Sequence, residues 1–282
     1  EPKLTVVVSL RRSASYPVLA TFARETGADL DVRYVERGAE IGEDFDVLWS
    51  ADPASTFAQA AAGRLARLPD SALRGRPPQL VDPEGLWVGV TADLRVIAYD
   101  PSRVDGERVP THFEELLDPR VAPRVAIAAP ASVSTSWHVA TLFASKGSQP
   151  AAAFFRDLRK AGALFVDDER QVLEALAGDG PPIGVLDGEV AFNARELGRH
   201  IVILIPDQDG DGAVLRATTL SLNKKAAARQ RALDLVDYLL SPPVGRRLAL
   251  MSSHIALLAD DQPTAGALTL SLIHISEPTR PY

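Results

Sequence analysis

The chain has 282 residues, 46% of them hydrophobic and 24% charged, with a formal net charge of −7 and no cysteine. That length suits two α/β domains, the acidic balance argues against a nucleic-acid or anionic-membrane surface, and the missing thiols exclude disulfides, thiolate zinc sites and cysteine nucleophiles. No apolar run reaches the roughly 18 residues that a membrane-spanning helix needs.

Residues 4–9 are apolar and β-branched until Ser9, as in a buried parallel strand. Residues 10–13 read as a turn, 16–26 as a helix with Val18, Leu19 and Phe22 on one face, and Gly27 as its C-cap. Strands follow at 30–35 and 45–50. Asp52-Pro53 then gives an N-cap with proline at the first helical position, opening a helix that ends at Gly63. This order is that of a doubly wound α/β unit. Residues 69–85 are proline-rich and irregular, and 86–90 and 94–99 read as two further strands. A crossing into a second domain is expected at 98/99.

Thr111 and Glu114 have capping-box spacing for a short helix over 111–117. Residues 124–129 form a strand, 132–136 a Ser/Thr turn, and helices follow to about 145, over 151–161 and over 168–177, with a short strand at 164–165. Pro182 to Asn193 reads as a short buried strand (183–186), a polar turn and a helix running to about 197, with Asp187 at the N-cap position. A strand at 201–205 and an acidic loop at 207–212 lead back to the first domain. There residues 214–222 read as a strand, and 225–240 and 243–251 as helices. The expected domains are 1–98 plus 213–267, and 99–212. Residues 268–282 depart from the Ala/Arg-rich style of the rest and read as a non-native tail resembling translated adapter sequence. The start at Glu1, without Met, reads as a processed N-terminus, with a removed signal peptide or lipid anchor left open.

Four strand ends carry polar turns into helices, two in each expected domain. In the first are Arg11, Arg12 and Ser13, with Ser50 and Asp52. In the second are Ser132, Ser134, Thr135 and Ser136, with Asp187, Glu189 and Asn193. Helix N-termini offer backbone N–H groups and a positive dipole end to an anion, and hydroxyls add neutral donors. Ser, Thr and Asp are also the ordinary helix caps. Together the four turns would line a cleft between two domains. Asp52, Asp187 and Glu189 offer oxygen ligands suited to a hard metal ion.

Several stretches in this order and spacing resemble the periplasmic solute-binding proteins of ABC importers, in the two-domain class with crossing hinge strands, and within it the ferric-iron-binding branch. They are Val7-Val8-Ser9 ahead of Phe22 to Gly27; Phe45-Asp46-Val47-Leu48-Trp49-Ser50-Ala51-Asp52; Leu86 to Val90 with Arg95 to Asp100; Leu117-Asp118-Pro119-Arg120; Ala128-Ala129-Pro130 with its Ser/Thr turn; and Pro206-Asp207-Gln208. The likeness covers roughly residues 4–258. It implies two doubly wound lobes joined by hinge strands, capture of a small ligand by closure, and delivery to a membrane permease from the periplasmic or extracellular side. It also implies a monomer and ferric iron with a synergistic anion as transported ligand, the anion at the Ser132 to Ser136 turn. Iron-binding members carry two adjacent tyrosines just after the strand that here is 183–186. This chain has Gly188-Glu189-Val190-Ala191-Phe192-Asn193 there, so either carboxylates hold the metal or the ligand is no longer ferric iron but another metal-anion complex or an oxyanion.

Other readings remain beside it. Asp207-x-Asp209-x-Asp211-Gly212 opens like a calcium loop, but its twelfth position is Thr218, so an acidic turn is expected. His138 reads as packed rather than ligating, and Trp49, Trp87 and Phe192 as core. A metal-assisted hydrolase using Asp52, Asp187 and Glu189 stays open, as does a ligand-sensing domain, although no nucleophile elbow, phosphate loop or His-Glu-x-x-His is present.

Overall fold

A computed structural model describes residues 2–252, 254–256, 264–265 and 268–269; most of the tail expected from residue 268 onward lies outside them. In chain order the elements are β1 (Leu4–Val8), α1 (Arg12–Thr26), β2 (Leu30–Tyr34), β3 (Val47–Ser50), α2 (Pro53–Ala61), β4 (Leu65–Ala66), α3 (Asp70–Leu73) and β5 (Trp87–Tyr99). Then come β6 (Val125–Ala128), α4 (Val133–Lys146), α5 (Ser148–Lys160), β7 (Leu164–Val166), α6 (Glu169–Ala177), β8 (Ile183–Asp187), α7 (Gly188–Glu196) and β9 (Val202–Leu204). The chain continues through β10 (Leu215–Asn223), α8 (Gln230–Leu239), α9 (Pro242–Ser252) and β11 (Ile255–Ala256).

The described chain divides into two compact units, one of residues 2–93 with 216–269, the other of residues 94–215. Both passages between units fall in strands, the first inside β5 and the second at the start of β10.

In unit 1 the strands run β2-β1-β3-β10-β5. β1 is parallel to β2 and β3, and β10 is antiparallel to β3. Helices cover both faces, which explains why β1 is apolar except at Thr5 and β3 until its last residue, Ser50. Val6, Val8, Val47 and Trp49 enter one core with Phe22 and Leu235. Val7 and Leu48 enter another with Ile41, Phe45 and Leu65.

Unit 2 places β8 between β5 and β6, with β7 beyond. β6 is parallel to both β7 and β8, while β5 is antiparallel to β8 and β9. One face carries Val125, Ile127, Ile183 and Val185 against Phe155 and Leu158 of α5. On the other, α6 approaches so closely that a Cβ on Gly184 would lie 2.7 Å from Val172 Cγ1. Each unit is thus a mixed sheet between helices, as the doubly wound reading requires.

Several local expectations change; the helix expected over 225–240, for one, is a 3₁₀ turn over Lys224–Ala226 followed by α8 from Gln230. Residues 86–90 and 94–99 belong to a single 13-residue strand. Thr91 and Asp93, which fall between the two expected strands, are buried in it with partners: Thr91 Oγ1 bonds Thr218 Oγ1 at 2.9 Å, and Asp93 accepts from Arg216 Nη2 at 3.1 Å. The first helix begins at Arg12 rather than Tyr16, because Ala14 and Ser15 extend the buried stripe of Val18, Leu19 and Phe22 by one turn. The short helix after Thr111 is a 3₁₀ helix over Phe113–Leu117 whose box is displaced by one residue: Glu115 Oε2, not Glu114, accepts from the Thr111 and His112 amides at 2.7 and 3.2 Å.

Candidate functional site

In unit 1 the polar strand ends close on one another. Ser9 Oγ lies 3.1 Å from Ser50 Oγ and accepts from the Ala51 amide at 2.8 Å. Ser50 Oγ donates to the Asp52 carbonyl at 2.7 Å and accepts from the Asp52 amide at 3.0 Å. The Asp52 carboxylate accepts from the Ala54 amide at 3.1 Å and Ser55 Oγ at 3.3 Å, so it caps α2. Arg11 is the residue ahead of α1 and gives no side-chain cap. Arg12 is exposed, its guanidinium 5.5 Å from the Tyr16 ring centroid and 5.4 Å from that of Tyr34. Ser13 is exposed in the first turn of α1.

Unit 2 brings its two turns together through a residue outside the expected set. Arg95 on β5 is buried and stands directly across from Asp187 in the antiparallel pairing of β5 and β8. Its Nη1 donates to Asp187 Oδ1 at 3.0 Å and to Glu169 Oε1 at 2.5 Å. Its Nη2 donates to Thr135 Oγ1 at 2.9 Å. Glu169 Oε1 also accepts from the Asp187 amide at 2.6 Å, and Thr135 Oγ1 donates to the Ala128 carbonyl at 2.9 Å. One guanidinium therefore meets the third residue of α4, the first of α6 and the residue that precedes α7. Charge-assisted bonds of this kind are the strong ones, and burying the three charged groups requires them to stay paired.

Asp187 occupies the N-cap position of α7, as expected, but its side chain makes no capping bond. At α4 the cap is Ser132, whose Oγ accepts from the Thr135 amide at 3.3 Å and lies 3.3 Å from Ser134 Oγ. The amides of Val133 and Ser134 precede the first intrahelical hydrogen bonds. Ser134 is buried, while Ser136 is exposed and donates to the Val133 carbonyl at 2.9 Å. Glu189, the second residue of α7, is buried, and Asn193 one turn later is half-buried. Ser132, Ser134, Thr135 and Asp187 thus share one place in unit 2.

Arg95 had a legible signal, being the one charge in the apolar run from Leu94 to Ala98. Glu169 had none: an acid following an Asp N-cap is ordinary first-turn chemistry. His138 is packed as expected, fully buried, with ring centroids 4.5 Å from Phe113 and 5.5 Å from Phe155. Burial lowers its pKa to about 3. Trp49 and Trp87 are buried, while Phe192 is half-buried with Arg195 over its ring at 4.9 Å. The 207–212 loop is a turn about Asp207, whose φ is 61° and whose carbonyl accepts from the Gly210 and Gly212 amides at 3.2 and 2.9 Å. His112 Nε2 pairs with Asp209 at 2.8 Å and Lys146 Nζ with Asp211 at 2.8 Å.

Residues 53–265 match the family of bacterial extracellular solute-binding proteins. The chain belongs to that family. Its members bind solutes rather than catalyse, so the hydrolase alternative falls away, and membership implies a small ligand and an ABC-transporter permease as partners on the extracellular side. Among the described residues no helix is long and apolar enough to cross a membrane. Iron uptake protein A1 of Synechocystis is 24% identical over 258 residues, 85% of this chain and 71% of the relative. Iron-bound HitA from Pseudomonas aeruginosa superposes with a TM-score of 0.80 at 21% identity, over 95% of this chain and 90% of the other. A Trichodesmium protein (IdiA, FutA) in complex with iron and citrate gives 0.75 at 19% identity, over 92% and 87% of the two chains. These superpositions establish the type II periplasmic-binding-protein fold.

Proposed function

We propose that this extracellular solute-binding protein carries ferric iron, as a complex with a small anion, to its importer. The observation that supports this cargo most directly is the joining of two turns in unit 2, where the hydroxyl-bearing entrance of α4 and the acid-bearing entrance of α7 both meet Arg95. The first offers amide and hydroxyl donors to an anion. The second offers oxygen ligands of the kind a hard cation takes, through Glu189 and Asn193, at the place where the resemblance to the ferric-iron-binding branch would put paired tyrosines. The names of the relatives, an iron uptake protein and structures holding iron or iron with citrate, support the same cargo. Arg11, Arg12, Ser13, Ser50 and Asp52 stand as further candidate contacts in unit 1. In this reading the protein acts as a monomer and without nucleic acid.

The test is thermal-shift and calorimetric titration with ferric citrate and with ferric iron plus carbonate or phosphate, beside other oxyanions and divalent metals. A ligand at free concentration c that binds the native state stabilises it by RT ln(1 + c/Kd) and so raises the melting temperature as c exceeds Kd. Stabilisation by a ferric complex is expected, as is weaker binding in a Ser134→Ala, Arg11→Ala double variant that melts like wild type. Stabilisation by an oxyanion alone would replace iron as the cargo, and unchanged affinity in the double variant would remove those two side chains from the site.

A further inference from the structure

We infer that Arg95 is a positioning residue for the cargo-facing turns of unit 2, and that Asp187 serves this frame instead of contacting the cargo. The inference rests on the reading of those turns given above.

Four observations carry it. The guanidinium fork reaches three elements at once, each at its beginning: Thr135 in α4, Glu169 at the head of α6 and Asp187 ahead of α7. Arg95, Thr135, Glu169 and Asp187 are all buried, so the contacts are sheltered from solvent screening. Glu169 holds Asp187 a second time, through the backbone amide. Finally, an aspartate at an N-cap position ordinarily accepts from the amides of its own helix, yet the Asp187 side chain makes no such bond and turns to Arg95. Asp187 is thereby fixed at both its backbone and its carboxylate by groups belonging to the frame. A planar five-donor cation satisfies three acceptors in fixed directions, which a lysine ammonium on a flexible stem does not reproduce. Loss of Arg95 would release the entrances of α4 and α7 together and with them the amides, hydroxyls and oxygens aimed at the cargo. Sequence alone makes Asp187 a metal ligand; the frame makes it a support, with Glu189 as the carboxylate on the same turn that remains to be tested as a ligand.

The test compares wild type with Arg95→Met, Arg95→Lys and Asp187→Asn by amide hydrogen exchange and by titration with ferric citrate. Arg95→Met is expected to speed exchange at the entrances of α4, α6 and α7 together by about tenfold or more, while β6 and α5 keep their protection. Its affinity for ferric citrate is expected to fall by about 10- to 100-fold, the usual cost of removing an outer support of a metal site, with Arg95→Lys restoring only part. Asp187→Asn keeps an oxygen acceptor for Arg95 and is expected to bind near wild-type affinity, with an unchanged paramagnetic-resonance spectrum of the bound ferric ion. Abolished binding or a changed spectrum in Asp187→Asn would make Asp187 a direct ligand and overturn the inference. So would wild-type exchange at the three entrances in Arg95→Met. If Arg95→Met does not fold, Glu169→Gln is read by the same exchange experiment with the same two outcomes. Failure of wild type to bind ferric citrate would sink the proposed cargo alone, and the exchange measurement would then decide the positioning role by itself.

Discussion

His138 gives the sharpest quantitative expectation. Both of its ring nitrogens are buried without a hydrogen-bond partner, and the ring lies among Phe113, Phe154 and Phe155. Burial moves its pKa from the usual 6.5 down to about 3, with the Arg95 cation adding to the effect. The folded state therefore holds neutral histidine down to about pH 3, while the unfolded chain takes up a proton near pH 6.5. The stability this represents is complete above the unfolded pKa and is lost as pH falls toward the folded one. Each unit of separation corresponds to about 1.4 kcal/mol. Integrated from pH 7 to pH 5, where the folded ring is still neutral, the loss from this one group is about 2 kcal/mol. A His138→Phe variant cannot bind that proton. Its larger ring costs about 1–3 kcal/mol by overpacking, an offset that does not vary with pH. Urea unfolding of both proteins at pH 7, 6 and 5, followed by circular dichroism and by tryptophan fluorescence, gives the difference of slopes directly. The wild type should lose about 2 kcal/mol more than the variant over this range. Parallel pH dependence would mean that His138 takes up its proton in the folded state, and the burial argument would fail.

Three further outcomes are expected. Asp52→Ala should cost about 1 kcal/mol through loss of the α2 cap, read as a lower melting temperature; a loss of ferric-citrate affinity far beyond that effect would show that Asp52 contacts the cargo. Gly184→Ala should cost about 1–3 kcal/mol, because its Cβ would lie 2.7 Å from Val172 Cγ1 and 3.1 Å from Leu176 Cδ1; a neutral result in urea unfolding would mean that α6 shifts freely on the sheet. Asp46→Ala should cost about 3–5 kcal/mol, since this buried carboxylate accepts from Arg229 Nη1 at 2.6 Å and the Thr5 amide at 2.8 Å; a loss under about 1 kcal/mol would class the pair with exposed ion pairs.

The elements were legible where one physical signal dominated. β1 and β3 showed their burial on both faces in the apolar runs Val6-Val7-Val8 and Val47-Leu48-Trp49, and α2 showed its start in Asp52-Pro53. β5 was not legible as one strand because Thr91 and Asp93 break its apolar pattern, and their burial makes sense only once their partners are known. Those partners, Thr218 and Arg216, lie more than a hundred residues away, and no local pattern reports them. The start of α1 was missed for a related reason. The turn-like sequence before Tyr16 is overridden by burial of Ala14 and Ser15, a tertiary effect.

The same distinction explains what could be read of the site. A helix entrance is a local feature, so its polar residues stand out by spacing: Ser132 before α4, and Asp187 with Glu189 around the start of α7. What each carboxylate does is not local. Asp52 and Asp187 occupy equivalent N-cap positions, and although Pro53 follows one and Gly188 the other, neither neighbour reports which group the carboxylate will meet. Asp52 caps its own helix because no cation is brought to it by a neighbouring strand among its hydrogen bonds. Asp187 turns away from its helix because the register of β5 against β8 sets Arg95 directly opposite, where the guanidinium offers it a charge-assisted bond. A one-residue slip of that register would point Arg95 to the other face of the sheet and leave Asp187 free to cap α7. The difference between a helix cap and a partner of a buried guanidinium is therefore decided by strand pairing, which neither residue type nor spacing reveals.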